Sequence, residues 1–265
     1  MKNVLLLTHD DSGQDACLEA ALEVVKAVDG HLDCANVGEP ARPFVGAGRS
    51  VLRRAPLGGQ ERAGVLRERW MEQLSHEDVR WSWTETSDSP LKRLSEAARR
   101  ADLIVLGSVL PAPSDMQPLV CDVVLRSGRP VLAVPPRSRS KRVCGARVML
   151  AWDGSDEAIC AMLSSLDLLR LASQVRIVEI DDGSVRTPAE DAVNYLSRYG
   201  IKSDVLRNDP DIDVVIPMLI GGARVIGADY IVMGGFSEWR LVETLLCGKP
   251  HWMISECPAP LLITH

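Results

Sequence analysis

The residues with the most chemistry to offer lie in two short stretches. One is Asp153-Gly154-Ser155, which puts a carboxylate, a bare backbone unit and a hydroxyl at the end of the apolar run 146–152. The other opens at Gly234-Gly235, after the apolar run 227–233, and continues through Ser237 to Gly248-Lys249. Glycines let backbone amides approach a ligand closely, Lys249 adds one cation, and Asp153 is placed to accept hydrogen bonds from a base or a ribose. A donor array beside a carboxylate suits a nucleotide, with amides taking phosphate and the carboxylate taking neutral donors.

Other chemistry fails on spacing. The chain has no G-x-S-x-G elbow and no H-E-x-x-H. Gly248-Lys249 is no P-loop, because Pro250 follows it and Glu243 stands where the first glycine belongs. Gly46-Ala47-Gly48 lacks a third glycine and does not follow a strand directly, so it is no dinucleotide fingerprint. His9 beside Asp10 and Asp11 has no second histidine or cysteine close by, which makes loop capping a better reading than metal ligation. His251 and His265 stand alone.

Elements that would position these residues follow from periodicity. Apolar runs of strand type occur at 4–7, 32–37, 101–107 and 130–134, and residues 79–85 alternate as a half-buried strand that puts Trp81 and Trp83 on one face, as core or interface residues. Helical spacing links Cys17, Leu18, Ala21, Leu22, Val25 and Val28, with Asp29-Gly30 as the stop, and recurs at 61–74, 90–100 and 121–126. The pattern restarts at 146 with strands at 146–152, 175–180, 201–206, 230–233 and 261–264. Helices at 156–171, 188–199, 212–226 and 241–255 alternate with them. The halves repeat: 4–7 matches 148–151, 101–107 matches 228–234, and 130–134 matches 260–264. Regular alternation implies parallel pairing with right-handed crossovers, so the expected fold is α/β with two tandem doubly wound five-stranded parallel sheets and flanking helices. In such sheets ligands collect at the carboxyl ends of the strands. The expected domains are 1–136 and 146–265, joined by a basic linker at 137–145 that follows Pro135-Pro136. A Gly, Pro and Arg-rich insertion at 38–60 reads as a surface loop.

Composition narrows the function. The chain has 265 residues, 46% hydrophobic and 25% charged, which suits two ordinary globular domains. A net charge of −6 argues against broad nucleic-acid binding. No apolar run reaches the length of a membrane span, and the start reads as neither signal nor anchor, so the expectation is a cytoplasmic protein with no membrane partner. The seven cysteines form no Cys-x-x-Cys pair and sit mostly in apolar segments, as free buried thiols do.

Four stretches carry a family resemblance: the repeated Ala-Asp strand that opens at Ala101 and Ala228, the Ala151-Trp152-Asp153-Gly154-Ser155 opening, Ser127-Gly128-Arg129-Pro130-Val131-Leu132, and the terminal Ala259-Pro260-Leu261-Leu262. On these the chain resembles the universal stress protein family in its tandem two-domain form, over essentially all its length. The resemblance implies a Rossmann-like, adenine nucleotide alpha hydrolase-like fold and a role in stress response rather than catalysis. Its implied ligand is ATP or another adenine nucleotide around Asp153, Gly154, Ser155, Gly234, Gly235, Ser237, Gly248 and Lys249. It further implies that the last strand of each half meets its counterpart, as an intramolecular pseudo-dimer or in a homo-oligomer. Members that bind ATP carry G-x2-G-x9-G-[ST] after the fourth strand. Here Gly234 begins the motif, but Ser237, Cys247 and Gly248 follow; one residue later Gly235 and Gly248 match while Glu238 and Lys249 do not. In the first half Gly107 is followed by Leu110. A scaffold that binds no nucleotide stands as the alternative, and a slow ATPase as a weaker third.

Overall fold

A computed structural model of the chain describes residues 1–8, 13–36, 59–85, 97–108, 120, 123–124, 127–136, 138, 142–180, 185–208, 215–235, 257 and 259–265. Ten strands form one sheet: β1 (Asn3–Thr8), β2 (His31–Asn36), β3 (Arg80–Glu85), β4 (Leu103–Gly107), β5 (Val131–Val134), β6 (Arg147–Trp152), β7 (Gln174–Ile180), β8 (Ser203–Asn208), β9 (Tyr230–Gly234) and β10 (Leu261–Thr264). Among the described residues the helices are α1 (Gln14–Val28), α2 (Gly59–Ser75), α3 (Asp156–Ser164), α4 (Leu166–Leu169), α5 (Ala189–Arg198) and α6 (Val215–Ile226).

The strand order is β3-β2-β1-β4-β5-β10-β9-β6-β7-β8. Each half is parallel throughout and has the same internal order, third-second-first-fourth-fifth, as a repeated doubly wound unit requires. The two five-stranded sheets do not stand apart. They join through an antiparallel pairing of β5 with β10, in which Leu261, Leu262 and Ile263 face Ala133, Leu132 and Val131. Central strands β1, β4, β5, β6, β9 and β10 are buried on both faces, which explains why they read as continuous apolar runs. Alternate residues feed two cores. Val4, Leu6, Val105, Leu132, Val148, Leu150 and Leu262 share one core with α1, α3 and α5 on one face, and Leu5, Ile104, Met149 and Ile231 share the other with Ala98, Val120 and Val124 of the first half and with α6 of the second. Trp81 and Trp83 on the edge strand β3 are half-buried against the first of these cores.

Several local expectations shift. The helix expected over 156–171 breaks at Ser165, whose hydroxyl donates to the carbonyls of Ala161 and Met162 at 2.8 and 3.0 Å and so interrupts the run between α3 and α4. The strand expected from 201 starts at Ser203. Gly200, at φ +75°, ends α5: its N–H donates to Ser197 O at 2.9 Å and Ile201 N–H donates to Leu196 O at 3.1 Å, the pair of bonds that closes a helix terminus over a left-handed residue. At the end of α1 it is Asp29, not Gly30, that takes the left-handed conformation, at φ 46°. Gly30 is needed beside it because a Cβ there would lie 2.7 Å from Lys2 O. The five described cysteines are all free; Cys17, Cys34 and Cys257 are buried as expected, while Cys144 and Cys160 are exposed. Of the insertion expected at 38–60, residues 38–58 lie outside the described residues and Gly59 and Gln60 open α2 instead of a loop; the helix expected over 241–255 lies outside the described residues.

Candidate functional site

Parallel pairing of β6 with β9 sets Val148 beside Tyr230 and Leu150 beside Val232, so the carboxyl ends of both strands open on one edge of the sheet. This brings Asp153, Gly154 and Ser155 next to Gly234 and Gly235. Ser237, Gly248 and Lys249 lie outside the described residues, as do His9, Asp10 and Asp11.

Asp153 and Ser155 organise the start of α3. The Asp153 Oδ1 accepts from Ser155 N–H at 3.0 Å and from the Ser155 hydroxyl at 2.6 Å, and Ser155 Oγ in turn accepts from Ala158 N–H at 3.1 Å. Ser155 is thus the N-cap of α3, and Asp156 and Glu157 in the first turn suit the positive end of the helix dipole. Fixing Oδ1 orients the carboxylate. Its second oxygen has no hydrogen-bond partner among the described residues, so it remains available as an acceptor.

Gly154 has a different role. It sits at φ +72°, and a Cβ there would lie 2.6 Å from Thr187 O and 2.7 Å from Thr187 N. Residues 185–188 therefore cross directly over the end of β6. Trp152, buried at that end, donates its indole N–H to Thr187 O at 2.9 Å. The crossing segment is anchored where it enters α5: buried Glu179 accepts from Ala189 N–H at 2.6 Å and from Arg207 Nε at 2.8 Å, and Arg207 also pairs with Glu190. Neither Glu179 nor Thr187 stood out in the sequence. The only available signal was a carboxylate interrupting the apolar strand 175–180.

The two glycines after β9 are engaged by the protein itself. A Cβ on Gly234 would lie 2.5 Å from Glu157 C and 2.6 Å from Ala158 N, so this glycine lets α3 pack against β9. Gly235 N–H donates to Thr264 O at 2.7 Å, and its carbonyl lies 3.2 Å from His265 Nδ1. Backbone donors for a phosphate are thus not supplied by Gly235.

The repeated Ala-Asp strand opening also acquires a cause. Asp102 Oδ2 accepts from the N–H groups of Lys2 and Asn3 at 2.6 and 2.9 Å, and Asp229 Oδ2 accepts from Arg147 N–H at 2.7 Å. In both halves this aspartate clamps the first residues of the central strand. Its place in the repeat is structural. No cluster of three or more His, Cys, Asp or Glu side chains among the described residues could hold a metal ion, and none of their helices is long and apolar enough to cross a membrane.

No family model and no curated protein matches the chain. Among solved structures it is similar to a universal stress protein from Archaeoglobus fulgidus DSM 4304, with a TM-score of 0.72 at 16% identity, over 99% of this chain and 97% of that one. The chain carries the universal stress protein fold. A functionally unknown protein from Pseudomonas aeruginosa PAO1 superposes over 100% of this chain and 92% of its own, with a TM-score of 0.62 at 14% identity. Both matches span nearly the whole chain, so the likeness in fold extends over both halves and not one alone.

Proposed function

We propose that this chain is a cytoplasmic stress-response protein built from units 1–136 and 146–265, with 137–145 as linker, and that its second unit weakly binds an adenine nucleotide, ATP or a shorter relative. The observation that carries this reading is the Asp153 carboxylate, held by Ser155 through one oxygen and open at the other, beside the end of β9. Such an acceptor suits the exocyclic amine of a base or a ribose hydroxyl. Phosphate contacts fall to the stretch that contains Ser237, Gly248 and Lys249. Binding is weak because Gly235 already spends its amide on Thr264. The chain acts by binding and not by catalysis, and assembles into homo-oligomers on top of its internal pseudo-dimer.

Calorimetry and thermal unfolding with ATP, ADP and AMP test the proposal. A ligand at 100 times its Kd stabilises the folded state by about 2.7 kcal/mol, which raises Tm by several degrees for a chain of this size. Asp153→Asn, which keeps the cap acceptor but loses the charge, should weaken binding about tenfold. No shift at millimolar nucleotide sinks this reading in favour of a second one, an interaction scaffold that binds no nucleotide. The scaffold reading is supported by the same two glycines, since Gly234 and Gly235 serve packing and sheet pairing.

A further inference from the structure

On the outer surface of the second half, α5 places Tyr195 and Tyr199 one turn apart. Their rings lie 5.2 Å apart at an interplanar angle of 34°, with the two hydroxyls 3.2 Å from each other. Tyr199 is 39% exposed. Arg170, which follows α4, holds its guanidinium 5.6 Å from the Tyr199 ring centroid. Arg198 lies three positions past Tyr195 and within electrostatic reach of its phenol, and Lys202 follows the turn after Tyr199.

All three cations are exposed, and none of them forms an ion pair among the described residues. The nearby acids do not balance them. Asp167 is turned to the Met1 amine and Glu190 to Arg207, which leaves Asp191 as the acid on this stripe of α5. A net positive aromatic patch runs against the overall charge of −6. Tyr195 packs in part against the core beneath α5, beside buried Ala189, Ala192 and Leu196, whereas Tyr199, Arg170 and Arg198 lie on the surface. Tyrosine and arginine are the residue types that concentrate binding energy at protein interfaces, because a large rigid ring or a planar fork is ordered at little entropic cost. Here the Arg170 stacking and the Tyr195–Tyr199 contact already order both before any partner arrives.

We propose that Arg170, Tyr195, Arg198 and Tyr199 form a docking surface for an acidic segment of a partner protein. Charge complementarity selects this occupant: unpaired cations favour carboxylates, and a second copy of a chain at −6 approaches against its own net charge. The aromatic rings take the apolar stems of the acidic side chains or an aromatic neighbour in the segment.

The test is a titration of the full-length, isotope-labelled protein with an oligo-glutamate peptide, with an oligo-lysine peptide as control, followed by amide chemical shifts. Shifts confined to the ends of α4 and α5, seen with glutamate and not with lysine and reduced at high salt, are the expected result. Arg170→Ala combined with Tyr199→Ala should weaken binding about tenfold; both side chains are on the surface, so the fold is retained and an unchanged spectrum elsewhere verifies it. Three results overturn the proposal: no shift at these amides, equal shifts with both peptides, or undiminished binding by the double variant. Self-association that the double variant abolishes assigns the patch to a second copy instead, and tighter binding of an oligothymidylate at the same amides assigns it to single-stranded nucleic acid; either one also overturns the acidic-segment proposal.

Discussion

Leu132 of β5 faces Leu262 of β10 across the antiparallel pairing that joins the two halves. The two leucines occupy the same position in the repeat, 130–134 matching 260–264, so an approximate twofold axis passes between them. Both are buried, at 2% and 0% exposure, in one core that spans the joint. Leu132→Ala and Leu262→Ala should each cost about 2–5 kcal/mol and by similar amounts. Because the two truncations open one shared cavity, the double variant should cost less than the sum. Denaturant unfolding of the four proteins checks this; full additivity would mean that the leucines do not act as one joint.

Gly154 and Gly234 are intolerant of a side chain for different reasons. At Gly154 the left-handed backbone alone penalises alanine by about 1–2 kcal/mol, and the collision with Thr187 adds to it. At Gly234 the obstacle is the backbone of Glu157 and Ala158, which cannot rotate away as a side chain can. Gly234→Ala should therefore push α3 off the sheet and raise hydrogen exchange in the first turn of α3. Gly154→Ala should instead loosen residues 185–189 while α3 stays protected. An exchange map that showed the same pattern for both variants would contradict these separate roles.

Much of the fold was legible because its signals are local. Val4, Leu5, Leu6 and Leu7 read as a strand buried on both faces, and Val148 to Ala151 repeats that signature at the matching place in the second half. The joint between β5 and β10 was legible only through family resemblance, since nothing in Val131 or Leu261 distinguishes an edge facing solvent from one facing its counterpart. For the proposed site, the closeness of some residues was legible but their contacts were not. Asp153, Gly154, Ser155 and Gly234 do converge, yet the glycines answer to Thr187 and Glu157, residues 33 and 77 positions away, and sequence spacing carries no record of such approaches. For the same reason Asp102 and Asp229 looked like part of a motif before their bonds to the first strand residues were visible.

The cysteines should divide by reactivity. Burial, with Asp33 alongside, pushes the Cys34 thiol up to about 12, and burial pushes Cys257 up to about 11. Both stay protonated near neutral pH and are shielded from reagents, and Cys17 is buried as well. Cys144 and Cys160 are exposed. Iodoacetamide on the folded protein at pH 8 should alkylate Cys144 and Cys160, while Cys17, Cys34 and Cys257 become modified only after denaturation. Peptide mass mapping before and after denaturant reads out the division, and rapid labelling of Cys34 in the folded state would contradict its placement under α1.

Asp102 gives the fold an acid dependence with a definite sign. Burial works to raise its pKa, but the amides of Lys2 and Asn3, the terminal amine and the Arg129 guanidinium outweigh it and hold the carboxyl below its usual value. A carboxylate depressed in the folded state contributes stability that is fully present above the unfolded pKa, about 3.9. That contribution is lost as pH falls through the lower folded value, because the unfolded chain then binds the proton more readily. Asp102→Asn keeps an acceptor for the two amides but cannot titrate, so its stability should fall less steeply than that of the parent below about pH 4. Asp102→Ala removes the acceptor and leaves both amides without it, so it should be less stable at every pH. Unfolding midpoints of the three proteins between neutral and strongly acidic pH separate the two effects. Parallel pH curves for the parent and Asp102→Asn would show that the charge on this clamp contributes nothing, and that the hydrogen bonds alone hold the start of β1 to the residue that precedes β4.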